Sequence, residues 1–469
     1  MDPLVFGTDG WRDIIGDRFT FANVGRAAQA YADYLLERGE HLVVVGYDTR
    51  FNGDLFARRV AEVMAANGLS VLLSRGYLPT PALSFAVKHY GAGGGVMLTA
   101  SHNPPAYSGF KLKGPYGGTA TQDIYENVSK RVKGVAAEHV RPYGGETLEF
   151  FDIRKPYYDA LATLVDIAAL GNFSGLVWHD SMGGAGAGWL TGFVKHARLD
   201  FEVRELHALP SPTFYGVNPE PIAPNLASLQ ASLQDGPAVF GAATDGDADR
   251  LGLVLPGGRF FNSHQIFAVL LDLMSRRGER GRVVKTFTVS RLVERLAEAR
   301  GLPVTETPVG FKYIVDAMLA GDVLIGGEES GGLGVAGHMP ERDGLANSLL
   351  MLEAVVKSGQ GLADLFGDLE AEAGWRHAYD RLDLQLPSAA LKDAVVAALQ
   401  DPPEDFADRL VVSVERRDGV KLNLGSDAWL LFRASGTEPA LRIYCEAPSE
   451  EAVREILGAA RRFVDGLQR

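Results

Sequence analysis

Cysteine is all but absent. Cys445 is the only one, so no disulfide can form within the chain. It sits in Leu441-Arg442-Ile443-Tyr444-Cys445, where a buried apolar role is expected. No apolar run reaches the ~18 residues of a membrane span, which excludes an integral helical membrane protein. The opening Met1-Asp2-Pro3-Leu4-Val5-Phe6-Gly7 has neither a basic nor an apolar signal region. Together these shortages lead to an expectation of a cytoplasmic protein with no membrane partner. Basic excess is lacking too. The formal net charge is −13, which argues against nucleic-acid binding but not against a small anion held by a few local Arg and Lys side chains.

What is present is a globular enzyme's composition, 46% hydrophobic and 22% charged over 469 residues. That length implies several domains. Apolar runs alternate with helical stretches through the first three segments, at about 1–150, 151–254 and 255–370, indicating α/β layers with mixed sheets. Predicted strands include Leu42-Val43-Val44-Val45, Gly95-Val96-Met97-Leu98, Leu176-Val177-Trp178-His179-Asp180, Val239-Phe240-Gly241-Ala242-Ala243, Val283-Val284-Lys285-Thr286-Phe287-Thr288 and Val323-Leu324-Ile325. From about 371 to 469 the texture changes. Leu382-Asp383-Leu384-Gln385-Leu386 and Val411-Val412-Ser413-Val414-Glu415 alternate, Asp418-Gly419 signals a hairpin, and Ser449 caps a last helix, as in a smaller α+β domain. The stretch Gly367–Gly374 is short but suits a hinge.

Each segment ends a predicted strand in a polar loop. Thr99-Ala100-Ser101-His102-Asn103-Pro104 places a hydroxyl, an imidazole and an amide on one corner, which fits an exposed nucleophile or a plain polar turn. Asp245-Gly246-Asp247-Ala248-Asp249-Arg250 puts three carboxylates at alternate positions. In an extended segment they would share one side and repel unless a cation such as Mg²⁺ joined them. An EF-hand is excluded, because Arg250 stands where its turn glycine belongs and Pro256 where its last glutamate does. Glu328 and Ser330 suit sugar hydroxyls, and Thr307-Pro308-Val309-Gly310-Phe311-Lys312 combines a tight turn, an aromatic and a cation. Arg433-Ala434-Ser435-Gly436-Thr437-Glu438-Pro439, with Arg442 beyond it, fits phosphate oxygens or an ordinary turn. Gly183–Gly188 lacks dinucleotide-loop spacing, since Trp189 occupies the last glycine position, and reads as a packing turn. There is no Walker A sequence, and no serine of these loops lies in Gly-x-Ser-x-Gly.

Taken in order, these loops resemble those of the α-D-phosphohexomutase family, the phosphoglucomutases and phosphomannomutases. Phe6-Gly7-Thr8-Asp9-Gly10 is similar to its opening motif, Thr99–Pro104 to its phosphoserine loop, Asp245–Arg250 to its metal loop, Gly327–Gly331 to its sugar loop and Arg433–Pro439 to its phosphate loop. The resemblance implies three similar α/β domains plus a smaller C-terminal domain around a central cleft. It implies catalytic roles for Ser101, as phosphoryl carrier, Lys111, as acid/base, Arg12 and His102. Mg²⁺ would be held by phosphorylated Ser101 with Asp245, Asp247 and Asp249. Implied substrate contacts are Arg250, Lys285, Gly310, Phe311, Lys312, Glu328, Ser330, Arg433, Ser435, Gly436, Thr437 and Arg442.

A lysine beside cations has a lowered pKa, which would suit Lys111 to act as a base. The implied reaction interconverts glucose 1-phosphate and glucose 6-phosphate through glucose 1,6-bisphosphate. Phosphomannomutase or dual-specificity activity is the near alternative, and a metal-dependent phosphatase or a non-catalytic sugar-phosphate binder the remoter ones. Where the family's mannose- and glucosamine-active members typically read Glu-Met-Ser-Gly-His or Glu-Gln-Ser-Gly-His, this chain reads Glu328-Glu329-Ser330-Gly331-Gly332. The Glu-Glu-Ser core resembles the glucose-selective branch, and the histidine is missing.

Overall fold

A computed structural model describes residues 4–7, 9–435 and 439–467. It falls into two compact units, one comprising residues up to Val284 with Gly310–Leu365, the other Lys285–Val309 with Phe366 onward. Among the described residues no helix is long and apolar enough to cross a membrane.

Three sheets contribute strands to the first unit, and each carries one of the polar loops in the same way. The first sheet orders Trp11–Ile14, Tyr107–Gly114, Gly94–Leu98, Leu42–Tyr47, Ser70–Ser74 and Glu149–Phe151, with Gly118–Thr119 off its path. The strands from Gly94–Leu98 outward through Leu42–Tyr47 to Glu149–Phe151 run parallel, joined by the helices Gly53–Ala66 and Thr80–His89 among others. Tyr107–Gly114 then returns antiparallel, with Met97 opposite Lys111 and Leu98 opposite Phe110. Residues 99–106 are therefore the tip of a hairpin rather than a crossover.

The second sheet orders Arg259–Phe261, Leu251–Leu255, Ala238–Thr244, Leu176–Asp180 and Glu202–Leu206. Thr244 pairs antiparallel with Leu251, so Asp245–Arg250 is again a hairpin tip. In the third, Gly327 pairs with Leu333, which makes the sugar loop a tip as well. The buried apolar strands that flank these loops, such as Gly94–Leu98 and Leu251–Leu255, fix where each loop emerges.

Tyr107–Gly114 is the exception to that apolar rule. Phe110-Lys111-Leu112-Lys113 alternates as a strand with one wet face would, yet Lys111 and Lys113 are both 0% exposed. Lys113 is buried because Nζ meets Glu341, 2.5 Å away, and Glu341 also accepts from Ser84 Oγ at 2.9 Å and Thr119 Oγ1 at 3.0 Å. The Lys113 charge is thus paired and hydrogen-bonded, the condition under which burial is tolerated.

The second unit is built on a six-stranded antiparallel sheet, in the order Ala378–Gln385, Ala440–Ala447, Ala428–Ala434, Val420–Leu424, Arg409–Glu415, Asp405–Phe406. Helices Ala389–Ala398 and Glu450–Gly466 supply its core with Leu391, Val395, Val453, Ile456 and Ala460. Ser449 caps the last helix by accepting from the Ala452 amide, as its sequence position predicts. Cys445 is buried in this core, which pushes its thiol pKa up and leaves it unreactive.

One expectation is corrected. Gly367–Gly374 is not a hinge loop, since helix Leu362–Ala373 runs through nearly all of it.

One buried carboxylate ties this unit together. Glu446, 0% exposed, accepts from Trp429 Nε1 at 2.5 Å, from the Arg291 amide at 3.1 Å and from Ser290 Oγ, and pairs with His377 at 2.6 Å. It thereby closes the N-terminus of helix Arg291–Ala299, where a negative charge is favoured. Glu446→Ala removes the acceptor these groups share and is expected to cost about 2 kcal/mol or more, opening that helix first. Hydrogen exchange read by mass spectrometry checks this: amides of Arg291–Ala299 exchange faster in the variant, and unchanged protection there would refute it.

Candidate active site

Ser101 sits where the chain leaves Thr99 and must turn back toward Gly109. Its φ of 53° is left-handed, an unfavourable conformation for a residue with a side chain. The turn is held from behind. Arg50 donates to the carbonyl oxygens of Ser101 and Asn103 at 2.6 Å and of Pro104 and Tyr107 at 2.8 Å. Asp48 pairs with Arg50 at 3.2 Å and accepts from Thr99 Oγ1 at 2.6 Å, while Thr99 Oγ1 accepts from the Ser101 amide. Burial lifts the Asp48 carboxyl to about 6 against the pull of Arg50 and Thr99. No side chain fits at Gly246, where a Cβ would lie 2.5 Å from the Ser101 carbonyl oxygen, so the serine corner and the acidic loop meet backbone to backbone there.

The Ser101 hydroxyl donates to Asp245 Oδ2 at 2.7 Å. Asp245, Asp247 and Asp249 are all 0% exposed, and a carboxylate oxygen from each lies within 4.8 Å of the other two. They converge through a turn, not through the alternation of an extended strand as the spacing suggested. Ala248 adopts a φ of 58°, and the Asp249 and Arg250 amides fold back onto Asp245 Oδ1 at 3.0 and 3.1 Å. Burial and the neighbouring charges of Asp247 and Asp249 push the Asp245 carboxyl well above its ordinary range. Asp247 is held low instead, because Lys111 and the hydrogen bonds it receives outweigh its burial.

The donor set fits a hard divalent cation. Among the described residues nothing donates a hydrogen bond to the buried Asp247 Oδ1 and Asp249 Oδ1, and three hard oxygens on one side of a turn leave room for further oxygen ligands.

Lys111 is the point on which the structure departs most from expectation. Its Nζ lies 2.8 Å from Asp247 and 3.2 Å from both Asp249 and Asp9. Burial disfavours its charge, but these carboxylates overcome it, and the pKa is raised rather than lowered. The anions around the lysine outweigh the nearby guanidinium of Arg342, which pulls the other way. The hairpin explains its proximity to the serine, since Lys111 pairs with Met97 on the strand that leads into Ser101.

Arg12 arrives from the adjacent strand, opposite Gly109, and donates to Asn103 Oδ1 at 2.9 Å and Asp9 Oδ2 at 2.8 Å. His102 flanks the serine, half-buried. Arg250 is buried, with Nε 4.0 Å from both Asp245 and Asp249. Glu328 accepts the Gly310 amide at 3.0 Å, and burial raises its pKa. Gly310 has a φ of 137°, which suits only glycine, and Phe311 begins the helix that follows. Lys312 donates to Gln122, and Ser330 is half-buried at the sugar-loop tip.

The remaining expected residues belong to the second unit. Lys285 is buried and pairs with Glu306 at 2.8 Å and Glu294 at 3.4 Å. Arg433 lies opposite Arg442 across a strand pair, and each has an aspartate partner, Asp418 at 3.0 Å and Asp383 at 3.5 Å. The Ser435 amide donates to the Ala440 carbonyl. Gly436, Thr437 and Glu438, like Thr8 of the opening motif, lie outside the described residues.

Four charged residues at the first unit's site were given no role by sequence reasoning. Asp9 gathers Lys111, Arg12 and Arg342 on one oxygen, at 3.2, 2.8 and 3.2 Å. Arg342 also meets Asp249 at 2.7 Å. Asp48 and Arg50 hold the serine corner. Asp48 and Arg50 carried a faint signal as charges directly after a buried strand; Arg342 carried none beyond its place before a helix.

Comparison with known proteins accounts for this arrangement. Four family models, described as phosphoglucomutase/phosphomannomutase domains I, II, III and the C-terminal domain, match residues 3–138, 155–258, 262–372 and 390–462. A phosphoglucomutase/phosphomannomutase of Thermococcus kodakarensis is 32% identical over 455 residues, 97% of this chain and 96% of that one. A phosphoglucosamine mutase of Moorella thermoacetica is 29% identical, with 99% of each covered. The crystal structure of a candidate phosphomannomutase from Thermus thermophilus superimposes with a TM-score of 0.90 at 47% identity, covering 99% of both chains. The chain belongs to the phosphoglucomutase/phosphomannomutase family, the α-D-phosphohexomutases, and is an intramolecular phosphotransferase of the isomerase class.

Proposed function

We propose that the protein is a phosphoglucomutase that interconverts glucose 1-phosphate and glucose 6-phosphate, with Ser101 as the phosphoryl carrier and glucose 1,6-bisphosphate as the intermediate. The observation that carries this reading is the Ser101 hydroxyl, 2.7 Å from Asp245 in a buried carboxylate triad that also holds Lys111. Phosphoryl transfer depends on position and charge more than on covalent help from the protein, and this site provides both. The Arg50 network keeps Oγ in one place. Arg12, fixed by Asn103 and Asp9, supplies a guanidinium for phosphoryl oxygens at the same corner.

Mg²⁺ is the cation we assign to Asp245, Asp247 and Asp249, and when bound it neutralises charge on the phosphoryl group being transferred. Lys111 carries the proton. With its pKa raised by Asp247, Asp249 and Asp9, the amine is held as an ammonium, ready to act as the acid toward a departing oxygen. Its turn as base requires those carboxylates to be engaged elsewhere. Glu328 and Ser330 offer acceptor and hydroxyl groups to the sugar, and Arg433, Ser435, Gly436, Thr437, Arg442 and Lys285 are the contacts we assign to its distal phosphate.

Preference for glucose rests on Glu328-Glu329-Ser330 and Gly310-Phe311-Lys312. The name of the T. kodakarensis relative, which joins both activities, favours a dual glucose and mannose specificity as the second reading.

Purified protein given Mg²⁺, a trace of glucose 1,6-bisphosphate and, in turn, glucose, mannose or glucosamine 1-phosphate is expected to form the 6-phosphate fastest from glucose. Ser101→Ala is expected to lower turnover by about a thousandfold or more and to remove phosphate from the peptide that contains residue 101. Near-normal turnover in that variant would end the serine's assignment, and free phosphate as the main product would replace the mutase with a phosphatase. Chelation abolishes activity and Mg²⁺ restores it. In Asp247→Asn the Mg²⁺ concentration needed for half-maximal rate is expected to rise by roughly tenfold, and an unchanged requirement would remove Asp247 from the ligand set.

A further inference from the structure

Gly332 ends the sugar loop, where the family resemblance leads one to expect a histidine. The structure shows what fills the space instead. A Cβ at Gly332 would lie 2.3 Å from Arg342 Cδ and 3.0 Å from Cγ. These atoms are the middle of the arginine, not its flexible end, so any side chain at 332 requires Arg342 to swing away. Gly332 does not adopt the left-handed backbone that favours glycine, and Arg342 is what denies it a side chain.

Arg342 is 3% exposed and its backbone is tightly placed. Asp343 next to it caps helix Gly344–Ser358, accepting from the Leu345 and Ala346 amides, and Gly344 donates to the Ala248 carbonyl of the acidic loop at 3.1 Å. From that base the guanidinium lies over the Phe311 ring, with Cζ 5.1 Å from its centroid. It reaches Asp249 at 2.7 Å, Asp9 at 3.2 Å and Glu328 at 3.8 Å. One side chain therefore joins the acidic loop, the opening loop and the sugar loop. The Gly310 amide holds one oxygen of Glu328 at 3.0 Å, and Arg342 faces the other as an ion pair at 3.8 Å, so the carboxylate lies between an amide and a guanidinium. Burial pushes the Glu328 carboxyl above its ordinary range, and Arg342 is the first of the charges that pull against that shift.

We propose that Arg342 is the positioning residue of the sugar loop, admitted by the missing side chain at Gly332, and that it holds Glu328 as an oriented carboxylate for the sugar hydroxyls. The proposal deepens the function above and rests on it. Arg342 acts through Glu328, so its loss weakens substrate binding more than it slows turnover.

The test uses the full-length enzyme with Mg²⁺ and measures KM and kcat for the preferred hexose 1-phosphate in Arg342→Ala, Arg342→Lys, Gly332→Ala and the double variant Gly332→Ala/Arg342→Ala. Arg342→Ala is expected to raise KM about tenfold and, because Arg342 also pairs with Asp249 and Asp9, to lower kcat by a smaller factor, with Arg342→Lys recovering part of both losses. Gly332→Ala raises KM in the wild-type background by displacing the arginine. It has no further effect once Arg342 is alanine, because the atoms it strikes are gone. An unchanged KM in Arg342→Ala, or an equal effect of Gly332→Ala in both backgrounds, would overturn the proposal. If circular dichroism shows Arg342→Ala unfolded, Gly332→Ala and Arg342→Lys decide it by the same rise in KM. An active wild type with indifferent variants removes this inference alone. If the wild type does not turn over, calorimetric Kd for glucose 6-phosphate replaces KM in the same series, and a wild type that neither turns over nor binds removes the function and this inference together.

Discussion

Three carboxylates are forced together in a place water does not reach, and much of the first unit is arranged to make that tolerable. Asp245, Asp247 and Asp249 are each 0% exposed. Burial first, and then the like charges of Asp247 and Asp249, push the Asp245 carboxyl well above its ordinary range. The chain answers with cations from different parts of the sequence: Lys111 on a returning strand, Arg250 at the end of the loop itself and Arg342 before a distant helix. Among the described residues, nothing donates a hydrogen bond to Asp247 Oδ1 or Asp249 Oδ1. The balance is incomplete at the position where a divalent ion would complete it, and a site built this way favours a ligand that brings positive charge and oxygen ligands of its own.

The same constraint explains the buried lysines of Tyr107–Gly114. A strand that reads Phe-Lys-Leu-Lys is expected to wet its lysine face. Here that face meets Asp247, Asp249 and Asp9 through Lys111, and Glu341 through Lys113. The two ion pairs share a strand but differ in what surrounds them. Glu341 is fully served by Lys113, Ser84 and Thr119, which suits a structural clamp. Lys111 shares acceptors that have bonds to spare, which suits a group whose partners change during a reaction. Asp9 belongs to the second kind, with Lys111, Arg12 and Arg342 all on Oδ2, while among the described residues nothing hydrogen-bonds Oδ1.

This separates what the sequence revealed from what it concealed. The serine, acidic and sugar loops were legible because each is a contiguous run of chemistry-bearing residues after a buried apolar strand. The α/β layering was legible for the same reason. Their geometry was less so. Alternate spacing in Asp245–Asp249 suggested an extended arrangement, but Ala248 takes a left-handed φ that no local preference announces, and the carboxylates meet around a turn. Arg342 was not legible at all. Its role depends on Phe311, Gly332, Asp9 and Asp249, which only the fold brings to it, and the one local sign was a histidine missing from Gly332, ten positions upstream. Gly367 misled in the opposite direction: a glycine inside a helix, Leu362–Ala373, looked like a hinge.

The Ser101 corner shows how strain and reactivity are kept apart. A left-handed φ costs a residue with a side chain roughly 1–2 kcal/mol, and at Ser101 it is held in place by contacts that leave the hydroxyl out. Arg50 binds the carbonyls of the turn, Thr99 takes the Ser101 amide, and Asp48 fastens Arg50 and Thr99 to each other. Oγ itself donates only toward Asp245. A substituent on that oxygen therefore exchanges one hydrogen bond in the acidic loop and disturbs none of those that shape the corner. A serine whose fold depended on its own hydroxyl would change conformation whenever the hydroxyl changed chemistry. Here the oxygen can be substituted and released while its position stays fixed, which is the property that the phosphoryl-carrier role proposed for Ser101 requires.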